Sequence, residues 1–175
     1  MIAVITCSHF PDDERIYHKE ISALSEKNYG IKYFTLSNLK ANLSRPGLNH
    51  KNYDLSKVSL DKYLKYVKED LIKDPPKVVH IHEPELFSIA VKMKKSFSTK
   101  IIYDVHEDYI SMIDTFSTLT WPFKALKIKY WKYNEKQFLK YVDKIFIASP
   151  TIVNSDFAAQ GFKPTLLENL SLIHI

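Results

Sequence analysis

The sequence predicts an α/β fold, in which a doubly wound and mainly parallel sheet of six or seven strands is flanked by helices. Short runs of β-branched and apolar residues, such as residues 2–6 and 101–105, alternate with longer segments of helical periodicity. This alternation predicts right-handed βαβ units. Polar side chains directly follow three of the runs, which is where open α/β sheets bind ligands. A chain of 175 residues suits one domain with a sizeable core.

The elements of the first third have recognisable start and stop signals. A strand at 2–6 precedes a helix at 13–28, for which Gly30 supplies a C-terminal cap. The next strand covers 31–36. The polar segment that follows is predicted to hold at most a short edge strand near Tyr53.

The same alternation continues through the rest of the chain. An amphipathic helix at 58–73 ends at two prolines, and a strand at 78–82 follows. A helix at 84–96 begins with a tolerated proline and leads to the strand at 101–105. The remaining elements are an irregular or partly helical segment at 109–120, a long helix at 121–141, a strand at 144–148, a helix at 150–160 and a short strand at 165–167.

Composition excludes several classes of protein. The one cysteine, Cys7, rules out a disulfide framework and indicates a reducing cytoplasm, where it is predicted to be a buried structural thiol. With three glycines, the chain contains neither a dinucleotide-binding fingerprint nor a phosphate-binding loop. No signal peptide and no apolar run of membrane-spanning length occur.

The positive charge of the chain lies in one segment. Residues 121–141 contain six lysines and one glutamate, a net charge of +5, whereas the remainder has 19 basic and 19 acidic residues. A local basic field of this kind recruits an anionic partner.

Four segments resemble family 4-type GT-B glycosyltransferases, which build bacterial surface polysaccharides. The first is Ser-His-Phe-Pro-Asp-Asp-Glu-Arg-Ile-Tyr-His-Lys-Glu at 8–20, and the second is Val-His-Ile-His-Glu-Pro-Glu-Leu at 79–86. Tyr-Asp-Val-His-Glu-Asp-Tyr at 103–109 matches a third family segment closely. Glu135 with 142–150 is similar to the last strand of the family's amino-terminal half.

The resemblance implies one Rossmann-like GT-B domain over residues 1–169, with an interdomain linker or tail beginning at 170–175. Family members carry a second domain with a Glu-x7-Glu motif, and no two glutamates here have that spacing. The expected function is the acceptor-binding half of a transferase, inactive alone, that moves a sugar from a nucleotide-sugar donor to a saccharide or lipid-linked acceptor. No cofactor is expected.

His106 is the candidate catalytic residue. The resemblance implies that its imidazole contacts the donor sugar near the reacting centre, although it also suits the amides at a helix start. Asp104 either orients His106 or caps the following turn. Glu107 and Asp108 are predicted to bind acceptor hydroxyls, and Asp108 equally suits the N-cap of a helix at Tyr109.

A second group of candidate binding residues follows the first and third predicted strands: His9, Asp13, His82 and Glu83. Asp13 also suits a helix start, and Arg15 is predicted to pair with Asp12, Asp13 or Glu83. His80 and His82 share one strand face with Glu83 beside them. Because no third histidine lies at ligand spacing, we predict a polar acceptor site and no metal site.

The lysine-rich helix has two interpretations, a solvated charged face or a peripheral membrane surface on anionic lipid. The predicted membrane-facing residues are Trp121, Lys129, Lys132, Lys136 and Lys140. The chain carries no nucleic-acid-binding motif, so no such partner is expected.

Two other functions remain open at this stage. One is a non-catalytic membrane or partner adaptor, in which the basic helix is the whole function. The other is a phosphoreceiver-like signalling domain, which fits less well because Asp12 and Asp13 lie several residues beyond the first strand. In each case the expected location is the cytoplasm, or the inner face of its membrane.

Overall fold

The computed structural model describes residues 1–106, 109–150, 152 and 155–167. It has a single sheet of seven parallel strands with flanking helices, which confirms the predicted α/β fold class. The strands are β1 (Ile2–Ile5), β2 (Ile31–Leu36), β3 (Leu48–Tyr53), β4 (Val78–Ile81), β5 (Lys100–Val105), β6 (Lys144–Ile147) and β7 (Thr165–Leu166). Their order in the sheet is β3-β2-β1-β4-β5-β6-β7.

Helical segments connect the strands as the alternating pattern predicts. Two of the α-helices are preceded by a helical turn of another type: a π-helical turn at Ile16–Ile21 and a 3-10 turn at Pro84–Leu86. The helices are α1 (Ser22–Glu26), α2 (Leu60–Lys73), α3 (Phe87–Phe97), α4 (Tyr109–Phe116), α5 (Trp121–Leu139) and α6 (Ser155–Ala159). Among the described residues, no helix is both long and apolar enough to cross a bilayer.

The chain divides into two compact units, Met1–Ile102 and Tyr103–Ile175. In the first unit, β1 pairs with β2 on one side and with β4 on the other. The connection from β1 runs to β2 on one side and the connection from β4 runs to β5 on the other, which creates a topological switch point between β1 and β4. Ligand crevices of open α/β sheets lie beyond the carboxyl ends of strands at such a point.

The first helical segment differs from its prediction at both ends. Helical structure begins at Ile16 instead of residue 13, because Asp13 Oδ1 accepts hydrogen bonds from the backbone amides of Arg15 and Ile16, each at 2.9 Å. The predicted cap at Gly30 is wrong, since α1 ends at Glu26 and Asn28 adopts the left-handed conformation with φ 59°. Asparagine tolerates that conformation better than most residues.

The predicted short edge strand is a full strand. β3 pairs with β2 over six residues, from Ile31↔Leu48 to Leu36↔Tyr53. Although β3 is polar, Thr35 on β2 donates to Asn52 Oδ1 on β3 at 2.9 Å, which satisfies polar groups between the two strands.

Helix α2 packs through one apolar face. The side chain of Ser59 caps its first turn, and Tyr63, Val67 and Leu71 are buried at a spacing of four residues. Tyr63 also donates its hydroxyl hydrogen to the carbonyl of Thr6 at 2.7 Å, a buried hydrogen bond that fixes the end of β1.

The second unit has its own small core. Tyr103 stacks edge-to-face on Phe138 with ring centroids 5.5 Å apart, and its hydroxyl donates to Glu135 at 3.5 Å. Leu139 and Ile145 are buried in the same unit. Because only the last turns of α5 supply buried residues, most of that helix is left exposed.

Gly47→Ala should destabilise the protein by more than about 1 kcal/mol, because alanine is strained at positive φ. Gly47 has φ +74°, and an added Cβ would lie 2.7 Å from the carbonyl oxygen of Tyr29. Gly30→Ala is the matched control, since its Cβ would meet nothing within 4 Å. Urea midpoints of both variants test this, and equal midpoints would contradict it.

Candidate functional site

The buried carboxylate of Glu83 joins the ends of β1 and β4 within the first unit. Its Oε1 accepts hydrogen bonds from the hydroxyls of Thr6 and Ser8, the latter at 2.7 Å, and from the Ser8 amide at 3.1 Å. Its Oε2 accepts from the amide of Cys7 at 3.1 Å. Since the side chain is almost fully buried, these donors replace water around the charge. The loop after β1 is therefore tied to β4.

His9 lies in that loop between two carboxylates. Its Nδ1 is 3.3 Å from Asp13 Oδ2, and its Nε2 is 3.8 Å from Glu83 Oε1. The side chains of His9 and Asp13 are each partly exposed, so this pair borders solvent. The structure thus brings together three residues predicted as binding residues, although Glu83 is engaged by the loop itself.

Asp13 is held as a carboxylate. Burial alone would raise its pKa, but hydrogen bonds from His9 and from the amides of Ile16 and Arg15 outweigh this effect and lower the pKa. The ionised Asp13 orients the imidazole of His9.

His82 lies behind His9, and it is fully buried. The two ring centroids are 6.1 Å apart in an edge-to-face arrangement. The ring of His80 lies 4.7 Å from that of His82, as expected for alternate positions on one strand face. A binding role for His82 stays a prediction. Because His82 is buried, it packs against the ring of His9 and is not exposed to solvent.

Glu20 completes a polar cluster that the sequence did not reveal. Glu20, His80 and His82 each offer a ligand atom within 4.8 Å of the others. Two imidazoles and a carboxylate are zinc-type donors, but Glu20 Oε1 also accepts from Arg15 Nε at 3.1 Å. The carboxylate of Glu20 therefore takes part in a polar network with Arg15, and the absence of a metal site stays a prediction. Arg15 was predicted to pair with other carboxylates, and the partner Glu20 was missed.

In the second unit, His106 and Asp104 form a pair. His106 Nε2 is 3.2 Å from Asp104 Oδ2, with Asp104 fully buried and His106 slightly exposed. Of the two predicted roles of Asp104, this contact supports the orienting one. Glu107 and Asp108 lie outside the described residues, as does the predicted tail at 170–175.

Cys7 is half-buried, and its thiol is a weak acid. Burial, followed by the charges of Glu83 and Glu85, raises its pKa well above the usual range. A protonated thiol is a poor nucleophile, so this geometry agrees with a structural role.

A cavity of about 380 Å³ opens beside His9 at the carboxyl ends of β1 and β2. Its lining includes the polar residues Ser8, His9, Ser37 and Asn38 and the apolar residues Phe10, Leu39 and Leu55. Leu39 and Leu55 were not predicted as site residues. Both are apolar residues in the otherwise polar segment after β2, and this contrast is the sequence signal that could have identified them.

Helix α5 exposes both its basic and its aromatic residues. The predicted membrane-facing residues are all exposed: Trp121, Lys129, Lys132, Lys136 and Lys140. Trp121 is 81% exposed, and Tyr130 and Tyr133 are more than half exposed.

The fold is a Rossmann-like α/β domain, and it is similar to one half of solved GT-B structures. No protein-family model and no curated protein matches the chain significantly. Among solved structures, a sucrose-phosphate synthase from Thermosynechococcus elongatus matches 95% of this chain and 47% of its own, with a TM-score of 0.66 and 14% identity.

Two further glycosyltransferases match less closely. Trehalose-6-phosphate synthase from E. coli, bound with UDP-2-fluoro glucose, matches over 86% of this chain and 40% of its own, with a TM-score of 0.50 and 12% identity. Arabidopsis thaliana UGT89C1, complexed with UDP-L-rhamnose, matches over 85% and 44%, with a TM-score of 0.51 and 12% identity. The chain spans less than half of each structure, and the similarity establishes the fold.

Asp13→Asn should lower stability at neutral pH by about 1 kcal/mol, because the amide keeps an acceptor oxygen but loses the charge. The folded-state pKa of Asp13 lies below the unfolded value near 3.9, so this contribution exists above about pH 4 and disappears as the pH falls. The difference between parent and variant in urea midpoint should therefore narrow from pH 7 to pH 2. Asp12→Asn, at an exposed neighbour, is the control. A difference independent of pH would contradict the prediction.

Proposed function

We propose that this chain is the acceptor-side domain of a family 4-type GT-B glycosyltransferase that uses a nucleotide-sugar donor in surface polysaccharide assembly. The observation that best supports this proposal is the contact between His9 and Asp13. The loop that holds His9 is hydrogen-bonded to Glu83 at the switch point, and His9 lines a cavity. Two of the structural neighbours are bound to UDP-sugars, which supports a donor of this class.

The proposed chemistry joins an acceptor oxygen to the anomeric carbon of the donor sugar while the bond from that carbon to the phosphate oxygen breaks. The nucleotide leaves with the electron pair of that bond, and the proton of the acceptor hydroxyl passes to solvent. His9, oriented by Asp13, hydrogen-bonds the acceptor hydroxyl. His106, oriented by Asp104, hydrogen-bonds the donor sugar near the reacting centre. Fixed groups of this kind contribute through positioning and electrostatic stabilisation of developing charge.

His106→Ala should reduce transfer by about two orders of magnitude, the usual cost of removing one positioned hydrogen-bonding group. The assay is product formation from a panel of nucleotide sugars, using the chain expressed together with the coding sequence that adjoins it in the genome. His18→Ala replaces an exposed histidine outside the site and should keep full activity.

The chain alone should give no transfer, because the second wall of a GT-B cleft is supplied by another domain. Transfer by the purified 175 residues, or unchanged turnover in His106→Ala, would contradict the proposal.

We also propose that α5 associates with anionic membranes. Its exposed lysines stand beside exposed aromatic side chains, the combination found in helices at lipid interfaces. Each lysine near an anionic surface contributes about 1 kcal/mol.

Changing Lys129, Lys132, Lys136 and Lys140 to glutamine should abolish binding to vesicles that contain anionic lipid. The parent protein should not bind neutral vesicles. Its binding to anionic vesicles should weaken as the salt concentration rises, since the Debye length falls from about 10 Å at 0.1 M to about 3 Å at 1 M. In the matched control, four exposed lysines of α2 are changed to glutamine instead: Lys62, Lys65, Lys68 and Lys73. Equal loss of binding in both quadruple variants, or none in the first, would contradict a specific surface on α5.

A further inference from the structure

The lining of the cavity beside His9 combines polar and apolar side chains. Ser8, His9, Ser37 and Asn38 supply polar groups, and His9 is oriented by Asp13 at 3.3 Å. Phe10, Leu39 and Leu55 supply large apolar side chains to the same lining. All of these residues belong to the first unit.

The exposed apolar lining is unusual for loops that face water. Phe10 is 60% exposed, Leu39 50% and Leu55 51%, so three large apolar side chains from separate loop positions surround one opening. Single exposed apolar residues are common, whereas several that line one cavity together with polar groups are typical of binding sites. The volume of about 380 Å³ lies within the range of small-molecule pockets.

From this arrangement we infer that the cavity binds an amphipathic acceptor: a sugar head whose hydroxyl meets His9 and an apolar group that covers Phe10, Leu39 and Leu55. This inference rests on the proposed function and narrows its acceptor to one with an apolar substituent. A saccharide without such a substituent would leave the three side chains in water. The site is concave, which suits an enclosed molecule better than a flat bilayer.

The test measures affinities of the purified chain for ethyl, butyl and hexyl β-glucosides by titration calorimetry. Affinity should rise about fourfold for each methylene group that Phe10, Leu39 and Leu55 cover, the fold-change corresponding to about 0.8 kcal/mol. Leu39→Ser/Leu55→Ser should remove this dependence on chain length. His9→Gln should weaken the three glucosides by a similar factor and keep the dependence.

Ile72→Ser is the matched control, because Ile72 is 41% exposed on α2 and does not line the cavity. It should bind as the parent does, and circular dichroism establishes that each variant is folded. Equal affinities along the series, no measurable binding of the hexyl glucoside, or an unchanged slope in the double variant would overturn the inference.

The outcome is separable from that of the proposed function. Sugar transfer by the complete enzyme together with a flat chain-length series would overturn the amphipathic site alone. A clear chain-length dependence without any transfer would leave an amphiphile-binding cavity and overturn the transferase assignment.

Discussion

The buried carboxylate of Glu83 is the interaction on which the geometry of the first unit's site depends. An ionised carboxylate in a protein interior is stable only when hydrogen-bond donors replace its water, and the loop after β1 supplies four. The donors are backbone amides and hydroxyls of consecutive residues, so the whole loop must keep one conformation to satisfy the charge. Removing either partner would leave buried polar groups unmatched, which couples the ends of β1 and β4.

A second carboxylate fixes the far end of the same segment. Asp13 accepts from the first helical amides through Oδ1 and contacts His9 through Oδ2. The segment between Thr6 and Ile16 is thus held at both ends, and His9 contacts both anchors. These two anchors fix the position of the His9 side chain as closely as a helix or strand would. A binding or catalytic group requires such a fixed position.

The sequence predicted the regular elements of the fold better than their details. Alternating apolar runs identified the strands, because burial on both faces of a parallel sheet leaves a local signature. The full length of β3 was not predictable, since it depends on the turn at Gly47 and on Thr35 bonding Asn52 seventeen residues away. The role of Glu83 was missed for the same reason, because its partners lie more than 70 residues earlier in the chain.

Site residues with partners close in sequence were easier to predict. Asp104 and His106 lie two positions apart at one strand end, and this spacing suggested that Asp104 could orient His106. His9 and Asp13 were both predicted as binding residues, but their contact across four positions was not predicted. The cavity wall was not predicted, because Leu39 and Leu55 come from different parts of a polar segment.

Helix α5 is held in the fold by only a small part of its length. Its buried residues, Glu135, Phe138 and Leu139, occupy the last turns, and the preceding turns expose Trp121 and Tyr130. Exposed aromatic rings gain nothing from the hydrophobic effect in water, so they do not explain how this helix is held in the fold. The segment 121–141, which contains the lysines beside them, has a net charge of +5, equal to that of the whole chain. The last turns therefore hold this helix in the fold, and the proposed association with anionic lipid rests on the aromatic and basic side chains that the preceding turns expose.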